Sequence, residues 1–454
     1  RGRGARRSNN IGKLGPGVVR SYDLQRLVLA DNHFRLFPTE AVCFRALVHL
    51  NLSFNKLESL PGDLRAATRL HALHLAHNFL RALPPAVGRL AAVHTLDVED
   101  NFLAVLPDAL CDCAALTALN VSSNQLEALP ARIDKLSALT RLSAAGNLLP
   151  ELPPAVGGLT QLRALDVERN RLWRLRRELG LLAGCLTEMA YTGNAVRTPP
   201  REILALGAER TLRYLQQINA ADEEGVLDLS SMRLNSFPLE TWVLTGLRQL
   251  SVADNNISVV PPDLAPLERL AHLDIHDNQV AIMPHQVGRL AQLRTLNCRR
   301  NFLSALPADL RNCTRITALN LDGNRFKAFP PEACALLALV DLSIDSNMIA
   351  EIPEEVQALT ALEALAMAFN QLRALPATMF RMTSLTRLAM VGNPLVSPPA
   401  ELMLLPFPAP LGYLERVHAS RASRRLDLAA YRLSAVPLVV PTLTDVEEIC
   451  LATN

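Results

Sequence analysis

Aromatic residues make up only 4% of this 454-residue chain, although 49% of its residues are hydrophobic. The core must therefore consist mainly of aliphatic side chains, which suits stacked layers of leucine. An excess of charge of one sign is also missing, because 46 basic and 44 acidic residues leave a net charge of +2. Without a strong electrostatic field we expect no nucleic-acid partner. No apolar run reaches the roughly 18 residues of a membrane span, so we expect no membrane insertion.

Sequence signatures of catalysis are missing as well. The chain has no Walker A phosphate loop, no G-x-S-x-G nucleophile elbow and no H-E-x-x-H zinc motif. We therefore expect a protein that is not an enzyme and that binds no cofactor and no metal.

The eight cysteines do not form a disulfide framework. Cys113 and Cys313 occupy the same inward slot of a repeat, and Cys298 replaces a strand leucine. Buried reduced thiols behave as small apolar groups, and they favour a reducing, cytoplasmic location. Cys111 is expected to point outward while Cys113 points inward, which argues against a metal site at this pair.

An asparagine that recurs every 23 residues is the most informative feature that is present. It ends a repeated phrase such as LTALNVSSNQLEALP at residues 116–130. A fixed period in this range is typical of a solenoid, whose units bury their apolar faces by stacking on each other. The ladder asparagines are Asn32, Asn55, Asn78, Asn101, Asn124, Asn147, Asn170 and Asn194, and then Asn255, Asn278, Asn301, Asn324, Asn347, Asn370 and Asn393.

Each part of the phrase predicts a local structure. The alternating L-x-L predicts a very short strand with its leucines inward. The asparagine amide can serve backbone groups of neighbouring turns that would otherwise be buried unpaired. The Leu-Pro that follows ends strand pairing, and the apolar spacing after it suits a helical or 3₁₀ turn. Because this outer half is bulkier, the stack should bend with its strands on the concave side.

The phrase resembles the leucine-rich-repeat superfamily over nearly the whole chain. The 23-residue form with Leu-Pro is similar to the cytoplasmic class typified by Ras-group and scribble-type repeats. The resemblance implies an α/β fold, a leucine-rich-repeat solenoid or horseshoe. Short parallel strands would form its concave face, and helical or 3₁₀ turns its convex face.

The period breaks twice over 38 residues, from Asn194 to Met232 and from Asn393 to Tyr431. Each break begins with a proline pair and ends in Tyr-Leu, so the chain is a duplication with an offset of 199 residues. The first break is similar to the helical segment that ends repeat blocks in relatives of leucine-rich-repeat-containing protein 40. We predict a tail or degenerate cap at 1–20, repeat blocks at 21–197 and 226–396, joints at 198–225 and 397–424, and an incomplete third block at 425–454.

The joints leave two interpretations open. They are helical inserts in one horseshoe, or they are hinges or docking brackets. Residues 220–225 are expected to form an exposed loop, and Pro406, Pro408 and Pro410 make a single helix doubtful in the second joint. The final phrase is half a repeat, so we expect the native protein to continue beyond it.

Departures from the consensus at outward strand positions are the candidate binding residues. In the first block, histidines on adjacent strands face carboxylates one strand further on, and His77 should approach Asp100. In the second block, two arginines are flanked by carboxylates. The candidates are His49, Phe54, His74, His77, Asp97, Glu99, Asp100, His272, Asp274, His276, Asp277, Arg299, Arg300, Asp322, Asp345 and Phe369.

Solvated charge pairing and partner recognition both explain these residues, and an open strand face makes catalysis or metal binding the weaker interpretation. The sequence therefore predicts a non-catalytic scaffold that binds protein partners through its concave faces. One alternative is the repeat arm of a larger GTPase- or kinase-linked signalling protein. Another is a structural subunit of a large cytoskeletal or ciliary complex.

Overall fold

Short parallel strands dominate the computed structural model, which describes residues 11–13, 23–64, 67–438, 440 and 443–454. The predicted tail at 1–20 therefore lies outside the described residues, apart from 11–13. The chain divides between Asn219 and Ala220 into two compact units. In the described part, the first unit holds one eight-stranded parallel sheet, and the second holds an eight-stranded sheet and a two-stranded one.

Every strand is three residues long and pairs with the strand one repeat away. In the first unit the strands are β1 Arg26–Val28, β2 His49–Asn51, β3 Ala72–His74, β4 Thr95–Asp97, β5 Ala118–Asn120, β6 Arg141–Ser143, β7 Ala164–Asp166 and β8 Glu188–Ala190. In the second unit they are β9 Val226–Asp228, β10 Gln249–Ser251, β11 His272–Asp274, β12 Thr295–Asn297, β13 Ala318–Asn320, β14 Asp341–Ser343, β15 Ala364–Ala366, β16 Arg387–Ala389, β17 Arg425–Asp427 and β18 Glu448–Cys450.

In most strands the central residue is a leucine that is buried in the core. Leu50 pairs in register with Leu73, and both side chains are buried. The residues on either side of this leucine point outward, as the period of two in a strand requires. The result is a solenoid of the leucine-rich-repeat class, with short parallel strands stacked along one face of each unit.

The opposite half of most repeats is a 3₁₀ helix that starts after proline. The amide of Val87 donates to the carbonyl of Pro84 at 3.0 Å and that of Leu90 to Val87 at 3.1 Å. Proline fixes φ for such a turn and needs no donor there. The 3₁₀ helices are Thr39–Cys43, Pro85–Arg89, Asp108–Asp112, Ile133–Lys135, Pro154–Gly158, Arg177–Leu182, Leu239–Val243, Ala265–Leu267, His285–Arg289, Ala308–Asn312, Glu354–Ala358 and Ala377–Arg381.

The ladder asparagines form hydrogen bonds between consecutive repeats, as predicted. The Asn78 amide donates to the carbonyls of Leu52 and Leu75, each at 3.0 Å. Its carbonyl oxygen accepts from the amide of Leu57 at 3.0 Å. Asn78 is only 3% exposed, so these bonds satisfy backbone groups that water cannot reach.

Five α-helices complete the described part of the chain: α1 Arg201–Ala205, α2 Ala208–Glu224, α3 Pro331–Cys334, α4 Ala400–Met403 and α5 Ala409–Ser423. The break that contains the three prolines thus forms α4 and α5, with Pro408 preceding α5. The exposed loop predicted at 220–225 is wrong, because α2 runs through it. Ala221 is fully buried there, and Gly225, at φ 71°, follows the last helical residue.

Two smaller predictions also need correction. Cys111 does not point outward; it lies in a 3₁₀ helix and is only 2% exposed. Burial raises the pKa of its thiol, with nearby Asp108 contributing to the same shift. The offset between the blocks is 200 for ladder positions such as Asn55 and Asn255, and it becomes 199 only at the last, because the repeat that ends at Asn194 is one residue longer.

Candidate partner-binding sites on the strand faces

The strand face of each unit is formed by residues six, four, two and one positions before the ladder asparagine. The last of these positions has an unusual backbone, with φ of 58° at Phe54, 56° at His77 and 51° at Asp100. Glycine takes this position at Gly146 and Gly193. A non-glycine residue pays of order 1 kcal/mol for a left-handed conformation, so a large side chain here needs a compensating reason.

Three repeats of the first unit bring Phe54, His77 and Asp100 into one row. The rings of Phe54 and His77 stack with centroids 4.1 Å apart and planes inclined by 21°. On the other side, His77 Nδ1 lies 2.6 Å from Asp100 Oδ2. Within the described residues, His77 Nε2 makes no hydrogen bond and remains available to a partner.

A second row of the same face holds His49, His74 and Asp97. The rings of His49 and His74 lie 5.0 Å apart, and His74 Nδ1 is 3.7 Å from Asp97 Oδ2. Partial burial lowers the pKa of His49, and the nearby His74 and Arg26 add to that shift. Glu99 lies beside this row and accepts a hydrogen bond from the Asn120 amide at 3.1 Å.

The second unit carries a mixed-charge patch on β11 and the segment after it. His276 Nδ1 lies 2.6 Å from Asp274 Oδ1, and its Nε2 lies 3.8 Å from Asp277 Oδ2. Asp277 Oδ1 is in turn 3.5 Å from Arg300 Nη1. His272 contacts the Thr295 hydroxyl at 2.8 Å, so most members of this patch bond to one another or to their own sheet.

Arg299 differs from Arg300. Its guanidinium makes no hydrogen bond or ion pair with any described residue, although carboxylates lie in the repeats on either side. Asp322 Oδ1 is engaged elsewhere, accepting from the Ser343 hydroxyl at 2.6 Å and the Asp345 amide at 2.7 Å. The two arginines therefore are not symmetrically paired, and Arg299 is a free cation on the face.

Asp345 and Phe369 occupy the last part of this face. Asp345 Oδ1 accepts a 2.6 Å hydrogen bond from the Ala368 amide. Its pKa is raised by partial burial, with Asp322 adding to the shift and the Ala368 bond opposing it. Phe369 is 62% exposed at φ 54°, and its ring covers Gly392.

Sequence reasoning missed a further set of exposed aromatic side chains. Phe79 and Phe102 directly follow ladder asparagines, and their ring centroids lie 6.0 Å apart. They follow the asparagine, whereas the candidate residues were all outward strand positions before it. The scarcity of aromatic residues was the available signal, since each ring outside the core then stands out.

The described residues hold no group of three or more His, Cys, Asp or Glu side chains placed to bind a metal ion. They also include no helix with the length and apolar character needed to cross a bilayer.

The repeat geometry is that of a leucine-rich-repeat solenoid. Residues 68–126 match the leucine rich repeat family profile. No curated protein matches the chain.

Among solved structures, a leucine-rich-repeat protein of Leptospira interrogans is 27% identical and covers 85% of this chain and 88% of its own, with a TM-score of 0.40. The ectodomain of the Arabidopsis thaliana receptor kinase GASSHO1/SCHENGEN3, solved with Casparian strip integrity factor 2, is 24% identical over 82% of this chain and 50% of its own, at TM-score 0.37. An internalin of Listeria monocytogenes is 19% identical over 82% of each chain, at TM-score 0.33. TM-scores this low carry no partner or role from these proteins to this chain.

Proposed function

We propose that this protein is a non-catalytic scaffold that binds protein partners through the strand faces of its two units. The row of Phe54, His77 and Asp100 carries the proposal. These large side chains stand in a left-handed conformation at a position where some repeats use glycine or serine, and each is at least half-exposed or on the open face. Rigid aromatic and charged side chains on such a face are the groups that dominate protein interfaces.

Arg299 supports the same function in the second unit. Arginine is favoured at interfaces because its planar guanidinium donates several hydrogen bonds at once. An arginine without an internal partner keeps all of those donors for a bound protein. We expect its loss to weaken binding by about 2 kcal/mol, as for an interface residue of high energetic weight.

We also propose a cytoplasmic, reducing location. The buried thiol of Cys113 donates to the Val87 carbonyl at 3.3 Å, and Cys298, directly after β12, is fully buried. Burial raises the pKa of Cys113 to about 11, which keeps it protonated and unreactive. Both cysteines thus serve as small core residues.

The test is co-purification of partners with the tagged full chain from its native cells, quantified by mass spectrometry. Alanine substitution of Arg299, Arg300, His74 and Asp100 should abolish recovery of the main partner. The control replaces Arg311 and Arg315, exposed arginines in and just after the 3₁₀ helix Ala308–Asn312 of the second unit, and should change nothing. Unchanged recovery with the strand-face variant, with folding verified by circular dichroism, contradicts the proposal.

A further inference from the structure

A second surface of the first unit lies on the flank, just past the ladder asparagines. Phe79 and Phe102 are 46% and 45% exposed, and their ring planes are inclined by 27°. Together with Glu58, Arg81 and Gln125 they line an open cleft of about 1080 Å³, which we call the flank cleft.

Backbone hydrogen bonds fix the segments that carry the flank cleft. The Phe79 amide donates to the Leu57 carbonyl, and the Phe102 amide donates to the Leu80 carbonyl, each at 2.9 Å. Adjacent segments therefore stay in register, and the two rings stand side by side. A partner meeting this surface would lose little free energy in ordering it.

The duplication supplies an internal comparison. At positions 200 residues later, Gln279 and Ala281 replace Phe79 and Arg81. Phe302 replaces Phe102, but it has no aromatic neighbour at position 279, and the Arg325 guanidinium lies 4.2 Å from its ring centroid. The same repeat architecture therefore forms without an open aromatic pair, so folding does not explain why the first unit exposes one.

Charge determines which partner fits. Arg81 is exposed two residues after Phe79, and it makes no hydrogen bond or ion pair with any described residue. Leu80, between them, is buried, so Phe79 and Arg81 project on the same side of an extended segment. In an extended peptide, side chains two residues apart also project on the same side, so such a peptide can contact Phe79 and Arg81 at the same time.

We propose that the flank cleft binds an extended segment of a partner protein. The segment presents a large apolar side chain to Phe79 and Phe102 and, two residues further on, a carboxylate to Arg81. The apolar side chain gains from contact with two exposed rings. The carboxylate forms a charge-assisted hydrogen bond with the guanidinium. This site is separate from the strand faces and does not depend on their function.

The test uses the full chain and a blocked pentapeptide, acetyl-Ala-Trp-Ala-Glu-Ala-amide, titrated by saturation-transfer NMR. We expect saturable binding with a Kd of about 1 mM or tighter. Phe79→Ala, Phe102→Ala and Arg81→Ala should each weaken it by about fivefold or more, which corresponds to roughly 1 kcal/mol. The matched variants Phe302→Ala and Arg325→Ala should leave it unchanged.

A charge reversal completes the test. Arg81→Glu should bind the peptide with lysine in place of glutamate more tightly than the original peptide. All of these side chains are exposed, and thermal melts verify that each variant is folded. The proposal is overturned if the wild-type chain shows no saturable binding up to about 10 mM. It is equally overturned if Phe302→Ala weakens binding as much as Phe102→Ala, or if the charge preference does not reverse.

Discussion

The ladder asparagine is the single residue on which each repeat most depends. Asn255 donates to the carbonyls of Leu229 and Val252, each at 2.9 Å, and accepts from the Leu234 amide at 2.9 Å. Its replacement by an apolar residue leaves these groups buried without a partner. Each such group costs about 1 to 3 kcal/mol, and partial relaxation reduces the sum.

Asn255→Ala should therefore lower the free energy of unfolding by about 3 kcal/mol. The neighbouring Asn256 is exposed and offers a matched control, since Asn256→Ala removes the same atoms from the surface. Urea denaturation followed by circular dichroism measures both variants. Similar losses in the two would show that the amide ladder is not what holds the repeats together.

Asp345 gives a prediction about pH. Its raised pKa means that the folded state disfavours the charged carboxylate. This penalty is present at neutral pH and disappears as the pH falls below the ordinary carboxyl range. Asp345→Asn removes the charge, and its amide oxygen can still accept the hydrogen bond from the Ala368 amide. The variant should therefore melt at a higher temperature than the wild type at pH 7, and this difference should disappear in acid, where Asp345 is itself protonated.

The control for this variant is Asp341→Asn, which changes an exposed carboxylate of β14 in the same repeat. Differential scanning fluorimetry from pH 3 to pH 8 measures both. A stabilisation by Asp345→Asn that does not vary with pH would contradict this account of its charge.

At the scale of elements, close packing of consecutive 3₁₀ helices shapes the outer side of the repeats. A Cβ atom on Gly88 would lie 2.1 Å from the carbonyl oxygen of Ala109 in the next 3₁₀ helix. The equivalent Gly288 would meet Asp309 at 2.3 Å. Glycine is required at these positions because a neighbouring backbone occupies the space of a side chain.

Gly88→Ala should therefore destabilise the first unit by about 3 kcal/mol, the upper range for overpacking. Gly62→Ala is the matched control, because a Cβ at Gly62 meets no atom within 4 Å. Thermal unfolding of the two variants provides the measurement. If Gly88→Ala were as stable as Gly62→Ala, the contact between these helices could not be as tight as the structure indicates.

The elements also show what the sequence could and could not predict. Short strands and the amide ladder followed from the alternation of leucine and the position of asparagine, since both are local and repeated. The continuation of α2 through residues 220–224 could not be predicted in this way, because the acidic sequence there is equally compatible with an exposed loop. The burial of Ala221 in the tertiary fold favours helix over that local preference.

The sequence also predicted part of the candidate site. The approach of His77 to Asp100 followed from equal spacing in parallel strands. The lack of an internal partner for the Arg299 guanidinium among the described residues could not be predicted, because the sequence does not show whether a neighbouring carboxylate already accepts other hydrogen bonds. Asp322 bonds to the Ser343 hydroxyl instead, and that choice depends on side-chain conformation. The exposure of Phe79 and Phe102 was not predicted, because these residues lie on the flank of the repeats and not on the strand face.

At the scale of the whole molecule, the duplication produces two units whose strand faces differ in chemistry. Both faces carry histidines and carboxylates, but the first unit adds Phe54, whereas the second adds Arg299, Arg300 and Phe369. Since the repeats share one backbone plan, these differences lie in the outward side chains alone. We infer that the two faces recognise different parts of a partner, or different partners, rather than duplicating one contact.

Site-specific photocrosslinking in the native cells tests the strand-face proposal most directly. A benzophenone amino acid replaces Phe54 or Phe369 on the strand faces. In the comparison set it replaces Leu181, in the 3₁₀ helix Arg177–Leu182, or Leu337, in the turn that follows α3. The two sets are comparably exposed, at 44% and 62% against 57% and 61%. We predict a discrete crosslinked partner from Phe54 and Phe369 and none from Leu181 and Leu337. Crosslinks that arise only from Leu181 or Leu337 would contradict binding through the strand faces.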